Sequence, residues 1–290
     1  MALRDNVRRR AIELLQGASS AAAARETSRE TLLALAEISR RVGGDVPNAG
    51  LDLAPYELRV LSQNGEDGIL AEILRRVGTT NRYFVEFGAG DGTENNCVLL
   101  ADVFGWNGLF MEGGEEAARR LSDKYAGHPR IVTRQALVSR ANVEGLFREA
   151  GVPVEPDVLS IDIDSDDYWV WQGIESFRPR VVVVEYNASL GSARQLVRPE
   201  GVGGWDVTDF YSASIAAFKA LAGCKGYRIV HCDLPGNSAF FVREDATGEF
   251  LDPDDVLLRA PNYYLLGMRH RPDPQQRSFV DVEGTTSAAS

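Results

Sequence analysis

Residues 83–96 read YFVEFGAGDGTENN, from Tyr83 to Asn96. Tyr83, Phe84 and Val85 open this stretch as an apolar run of the kind that makes a buried strand. Gly88, Gly90 and Gly92 follow, each two residues after the last. Glycines in that spacing after a strand predict a tight turn whose bare backbone can approach a ligand.

The residues around the glycines narrow the ligand. The dinucleotide fingerprint G-x-G-x-x-G needs its last glycine where Thr93 stands. A pyrophosphate on the following helix N-terminus would also meet Glu86 and Asp91, which repel it. A P-loop is excluded by the lack of G-x-x-x-x-G-K. Carboxylates beside bare backbone suit a cationic guest. S-adenosylmethionine (SAM) carries an ammonium and a sulfonium, so an acid-x-Gly-x-Gly turn fits it. A glycine-rich turn that holds no ligand is the alternative.

The 290 residues are 44% apolar, enough for one α/β-sized domain with extensions. A net charge of −11 and the lack of a dense Lys/Arg block argue against nucleic acid as substrate. The three cysteines, Cys97, Cys224 and Cys232, have neither zinc nor disulfide spacing, which favours a reducing cytoplasm. The segment after Arg8–Arg10 is too short and polar for a signal sequence. No apolar run approaches the ~20 residues of a membrane span.

Residues 1–50 read as an N-terminal helical extension, with one apolar patch around Leu14 and another around Leu35. These helices are expected either to cap a site or to make a homo-oligomer contact. In residues 62–70, SQNGEDGIL, Asn64-Gly65 marks a turn, and Glu66 and Asp67 suit a helix start. Gln63 is a candidate cofactor contact from above the sheet. After the glycine turn, apolar strands predicted at 108–111, 131–134, 158–161, 181–184, 227–230 and 239–242 alternate with helical segments. Continuous apolar strands between helices predict a parallel sheet covered on both faces. Ligands in such sheets bind beyond the strand C-terminal ends. Polar residues gather there: Glu86, Glu112, Asp162, Asp164, Glu185, Asn187 and His231. Glu112 is placed to accept both ribose hydroxyls, and Ala136 to line an adenine pocket. The glycine-containing loop between Asn187 and Phe210 reads as a lid over the acceptor. Residues 269–290 read as a flexible tail.

Asp162 and Asp164 share a strand face, as do Glu185 and Asn187 on the neighbouring strand. Three carboxylates and an amide oxygen in one crevice repel unless a cation neutralises them. These hard oxygen donors suit Mg2+, Mn2+ or Ca2+. Three readings stay open: a divalent ion held by Asp162, Glu185 and Asn187; Asp164 as a metal-free general base oriented by Glu185; or acids that bind sugar hydroxyls directly. His231 is a second candidate base, or a structural histidine.

With these motifs the chain resembles the SAM-dependent class I methyltransferases, and within them the FkbM-type group. The resemblance rests on SQNGEDGIL, FVEFGAGDGTENN, GWNGLFMEG, LSIDIDSDDYWVWQGI and RPRVVVVEYN, in that order between about Leu61 and Asn187. It implies a Rossmann-like seven-stranded sheet with an antiparallel last strand at 239–242. It carries cofactor binding onto Glu86, Gly88, Gly90 and Glu112, and Asn96 and Asp162 join them as candidates. Asp162-Ile163-Asp164-Ser165 departs from the group's usual D-x-E-G, which bears on the substrate. The expectation is a SAM-dependent O-methyltransferase domain over residues 51–268, acting on a hydroxyl of a sugar or secondary metabolite. A methyltransferase-fold binding protein without turnover is the alternative.

Overall fold

The computed structural model describes residues 50–262 and 270–284. The N-terminal helices expected before them, and their roles as cap or contact, lie outside the described residues. Among the described residues no helix is long and apolar enough to cross a membrane.

A seven-stranded sheet forms the centre. Its strands are β1 (Tyr83–Phe87), β2 (Asn107–Glu112), β3 (Ile131–Gln135), β4 (Val158–Ile161), β5 (Val181–Glu185), β7 (Tyr227–Cys232) and β8 (Ser238–Arg243). A short strand, β6 (Leu196–Val197), lies apart from it. The sheet order is β3-β2-β1-β4-β5-β8-β7. β1 to β5 pair in parallel, and β8 runs antiparallel between β5 and β7. This is the Rossmann-like sheet with an antiparallel last strand that the sequence led us to expect.

Apart from the edge strand β3, the strands are buried on both faces, as their uninterrupted apolar runs require. One face meets α1 (Glu66–Val77), α2 (Val98–Asp102) and α3 (Glu115–Lys124), through Phe84, Phe110 and Val183. The other meets α4 (Val143–Glu149), α5 (Asp167–Gly173) and α6 (Ile215–Cys224), through Val85, Leu109 and Val182. Two helix ends are set by specific contacts. α6 begins only after Ser214, whose side chain caps Ala217 N, because residues 212 and 213 are already paired with Arg198 and Asn187. α5 stops at Gly173, where a side chain would strike the carbonyl oxygen of Arg140.

The connection from β5 to α6 is ordered and carries β6. The segment 270–284 packs onto it through β9 (Val280–Asp281), which pairs antiparallel with β6. The expected flexible tail is therefore built into the fold over these residues. Its polar composition hid the reason, which is a set of charged partners far away in the chain: Arg194 binds Asp281, and Arg277 binds Asp206.

Asp157 ties the approach to β1 onto the start of β4. Fully buried, it accepts hydrogen bonds from Thr80 N and Oγ1, Asn81 N and Arg82 N at 2.7–3.0 Å, with Arg180 Nε 3.5 Å away. Removing the carboxylate leaves several buried donors unmatched. Asp157→Ala is expected to lower the unfolding free energy by about 3 kcal/mol or more, read as a lower denaturant midpoint at unchanged slope.

Candidate functional site

Beyond the C-terminal ends of β1 to β5 lies a cavity of about 700 Å³. Gly88, Gly90, Glu112 and Ala136 wall one half, and Gln63 also lines the cavity. Asp162, Asp164, Asp166, Glu185 and Asn237 wall the other. Gly201, Gly203, Gly204 and Trp205 from the β5–α6 connection complete it, with His270. The expected lid loop thus contributes directly to the wall.

The glycine turn is as tight as its spacing predicts. Gly88 has φ +67°, and a Cβ there would stand 1.6 Å from the carbonyl oxygen of Asp162. Only glycine lets the β1 turn pass the β4 turn at that range. Gly90, at φ +49°, faces open space within 4 Å of where its Cβ would be. Its N–H donates to Glu112 Oε2 at 2.8 Å, and Gly114 N donates to Glu112 Oε1 at 2.6 Å. Glu112 therefore braces the turn while facing the cavity. Each of its oxygens keeps a lone pair for another donor.

Glu86 behaves otherwise than expected. It is 1% exposed and is not among the cavity-lining residues. Its two carboxylate oxygens accept the N–H groups of Asn96 and Cys97 at 2.9 and 3.0 Å, fixing the start of α2. Burial pushes its pKa up to about 7 against those hydrogen bonds. Asn96 is held in the same way, its Nδ2 donating to Ser160 Oγ at 3.0 Å, and it too lies off the cavity. Asp91 turns toward Thr93 and Arg120. The acids that do face the cavity are Glu94, Glu112, Asp162, Asp164, Asp166 and Glu185. No described lysine or arginine lines it. The anionic character inferred from the sequence is present, carried not by Glu86 and Asp91 but by the strand-end acids Glu112, Asp162, Asp164 and Glu185, with Glu94 and Asp166.

Asp162, Asp164 and Glu185 bring one oxygen each to within 4.8 Å of one another. Asp167 holds their loop, accepting from Ile163 N at 2.8 Å and Ser165 N at 3.0 Å. Asp164 sits at φ +56°, a left-handed conformation that an aspartate tolerates better than most side chains. Burial, and then Asp164, raise Asp162 well above the ordinary carboxylate range. Burial and Asp162 do the same to Glu185, and burial lifts Asp167 to about 7. Glu185 Oε2 is buried and has no hydrogen-bond partner among the described residues. Such an orphaned oxygen beside two carboxylates fits a hard divalent cation.

Asn187 is not the expected ligand. The strand ends at Glu185, and Asn187 caps the short helical turn Ala188–Leu190. Its Nδ2 donates to the carbonyls of Asp209 and Tyr211 at 2.8 and 3.0 Å, and its Oδ1 accepts from Ser189 N and Oγ. Asp164 takes its place in the acidic set. His231 is likewise turned away. It is 4% exposed, its Nε2 lies 2.9 Å from Glu57 Oε1, and it does not line the cavity. Gln63, Gly88, Gly90, Glu112, Ala136, Asp162, Asp164 and Glu185 are brought together; Glu86, Asn96, Asn187 and His231 are not.

Asp166, Asn237 and His270 are cavity residues that the sequence did not single out. Asp166 occupies the N-cap position of α5, where its backbone carbonyl accepts Val170 N and its side chain makes no cap hydrogen bond. Its Oδ2 also accepts Gly201 N at 2.9 Å, tethering the lid. Nothing in the polar segment around His270 signals its position.

No family model matches the sequence, and no curated protein matches it. Among solved structures, the N-terminal domain of EvdMO1 with SAH bound is 20% identical, covering 71% of this chain and 94% of that one, with a TM-score of 0.41. Fibrillarin from Aeropyrum pernix, in complex with natively bound S-adenosyl-L-methionine, is 14% identical over 60% of this chain and 74% of that one, TM-score 0.41. The CMeT domain of the citrinin polyketide synthase is 11% identical over 61% of this chain, TM-score 0.41, and this chain spans about half (51%) of its length. At such distances function has to be argued from the cavity's own residues.

The raised carboxyl pKa values have a definite sign. The folded chain holds protons that the unfolded chain releases near pH 4, so this contribution to stability falls as pH rises through the folded values, about 7 for Glu86 and Asp167. The melting temperature of ion-free protein should therefore drop between about pH 5 and about pH 8, less steeply in Asp162→Asn. Added Mg2+ or Mn2+ should restore it at the alkaline end. A flat profile, unmoved by either, would contradict this electrostatic account.

Proposed function

We propose that this chain is a SAM-dependent O-methyltransferase acting on a hydroxyl of an uncharged small molecule, a sugar or a secondary metabolite. The observation that carries the reading is the cavity itself. It lies at the strand ends of a mostly parallel sheet, opens onto the Gly88–Gly90 turn, and is walled by carboxylates without a described lysine or arginine. Such a wall favours a sulfonium and an ammonium and rejects phosphates. The order of the five sequence motifs supports placement in the FkbM-type group of class I.

The residues divide the work. Gly88 and Gly90 leave room for the nucleoside to approach the backbone. Glu112, already fixed by the Gly90 and Gly114 amides, has lone pairs for the ribose hydroxyls. Ala136 lies beside it for the base. SAM supplies an activated methyl group on a sulfonium. Asp162, Asp164 and Glu185 would hold a divalent ion, which supplies Lewis acidity to lower the acceptor hydroxyl's pKa and orient it. Trp205 and the glycines around it close the cavity over the acceptor. Much of the acceleration would come from holding the acceptor oxygen close to the methyl carbon.

Titration calorimetry with SAM is expected to give saturable binding, weakened about 10- to 100-fold in Glu112→Ala, as for a lost hydrogen bond to a charged group. Absence of heat at about millimolar SAM, some 4 kcal/mol of binding free energy, would end the cofactor assignment. Methyl transfer to a panel of hydroxylated acceptors should fall after exhaustive chelation and recover with Mg2+ or Mn2+. Transfer that survives chelation unchanged would remove the ion.

A further inference from the structure

We propose that Asn237 is the residue with which this site reads its acceptor. Its side-chain amide hydrogen-bonds to a second hydroxyl, next to the one that receives the methyl group. The inference rests on the methyltransferase reading above and deepens it: the acceptor is a polyol, and one of its other hydroxyls sets the specificity.

Asn237 stands at the end of the turn between β7 and β8, and that turn is tied down along its length. Asp233, fully buried, accepts Asn237 N at 2.8 Å and Ser238 N at 2.9 Å on its Oδ1. Its own N–H donates to Ser238 O at 3.0 Å. Leu234 N donates to Glu57 Oε2 at 3.1 Å, and Asn262 N donates to Pro235 O at 2.7 Å. Gly236 has φ +79°, and a Cβ there would stand 2.6 Å from the carbonyl oxygen of Ala260. Tyr186 N donates to Asn237 O at 2.8 Å, which joins the turn to the end of β5. A side chain on such a support is held in place before any ligand arrives.

The backbone of Asn237 is thus fully used, whereas its side chain is not. The residue is 5% exposed and lines the cavity. Among the described residues no hydrogen bond reaches its amide, yet neither Oδ1 nor Nδ2 is sealed from solvent as Glu185 Oε2 is. A nearly buried residue on a cavity wall, whose unpaired polar atoms still reach solvent, turns those atoms to the cavity. Buried amides are normally paired with protein groups. The neighbouring neutral groups follow that pattern. Ser165 Oγ donates to Ile163 O at 3.0 Å, and Asn95 Nδ2 donates to Gly88 O at 3.4 Å. Asn237 keeps its N–H groups and its carbonyl oxygen for a guest.

Strand order selects the guest. Along β2, β1, β4, β5 and β8, neighbours in the sheet, the cavity residues Glu112, Gly88, Asp162, Glu185 and Asn237 follow one another. At ~4.8 Å between strands, Asn237 stands about 19 Å across the sheet from Glu112. On the reading above the nucleoside takes the β2–β1 end, so Asn237 belongs to the acceptor's end. Its neighbour there is Glu185, whose partner across the ladder is Ser238. The hydroxyl to be methylated goes to the acids of Asp162 and Glu185, and the next hydroxyl of the same molecule falls to Asn237. An amide suits that second contact. It both donates and accepts, adds no charge to a wall already crowded with acids, and does not compete for the proton that leaves.

The test is calorimetry on the full chain loaded with S-adenosylhomocysteine, with Mn2+ present. The probes are methyl glycosides of the common hexoses and their monodeoxy counterparts. At least one glycoside is expected to bind, and removal of one particular hydroxyl to weaken it about 10-fold. Asn237→Ala should weaken the parent glycoside by the same factor and leave the deoxy compound unaffected, because both changes delete one hydrogen bond. Affinity for S-adenosylhomocysteine and for Mn2+ should be retained. Asn237→Leu, close in shape, gives the same readout should the alanine variant not fold. Glycoside affinities unmoved by either variant, or losses that simply add, would overturn the proposal. So would a loss of cofactor or Mn2+ affinity in place of glycoside affinity, or no glycoside binding to a chain that holds S-adenosylhomocysteine. Failure of S-adenosylhomocysteine and of SAM to bind at all would instead reject the methyltransferase reading from which it starts.

Discussion

The site depends on one close approach. At Gly88 the turn after β1 passes so near the Asp162 carbonyl that a single added carbon would sit 1.6 Å from that oxygen. The contact joins the two halves of the sheet where their order reverses. From β1 the chain steps outward to β2 and β3, then returns to place β4 on the other side of β1. Such a reversal leaves a crevice at the strand ends. Gly88 sets how narrow that crevice is, and so brings the bare turn and the Asp162–Asp166 loop to one cavity.

Concentrating carboxylates there costs stability. Asp162 and Glu185 are both pushed far toward the protonated state, and Asp164 adopts a backbone conformation unusual for a side chain with a Cβ. A sequence selected for stability alone would pair these acids or replace them. Here Asp162, Asp164 and Glu185 crowd one another, and among the described residues no lysine or arginine lines the cavity to neutralise them as Arg180 does Asp157 or Arg76 does Glu72. Strain and unpaired charge at one spot are what a binding site for cations requires.

Much of this was legible in the sequence. The apolar runs gave the strands, the glycine spacing gave the turn, and the polar residues at strand ends marked the cavity. What failed was side-chain direction just past a strand. Glu185 and Asn187 would share a face only if the strand continued, but the chain turns into a short helix after Glu185, and Asn187 becomes its cap. Glu86 lies within β1, yet its carboxylate binds the N-terminus of α2, a partner that no spacing rule specifies. His231 is paired with Glu57, and His270 is positioned by contacts with residues 205–211. Both outcomes depend on long-range packing, which local pattern does not encode. The tail misled for the same reason, because its few apolar and charged residues are matched to the β5–α6 connection as well as to one another, Arg277 pairing with both Asp206 and Asp273.

The most direct test is a crystal structure of the full chain grown with S-adenosylhomocysteine and Mn2+. The account predicts the nucleoside against Gly88 and Gly90 with its ribose hydroxyls on Glu112, and anomalous density for manganese among Asp162, Asp164 and Glu185. A phosphate or other anion lodged on the glycine turn, with the nucleoside elsewhere or absent, would contradict it.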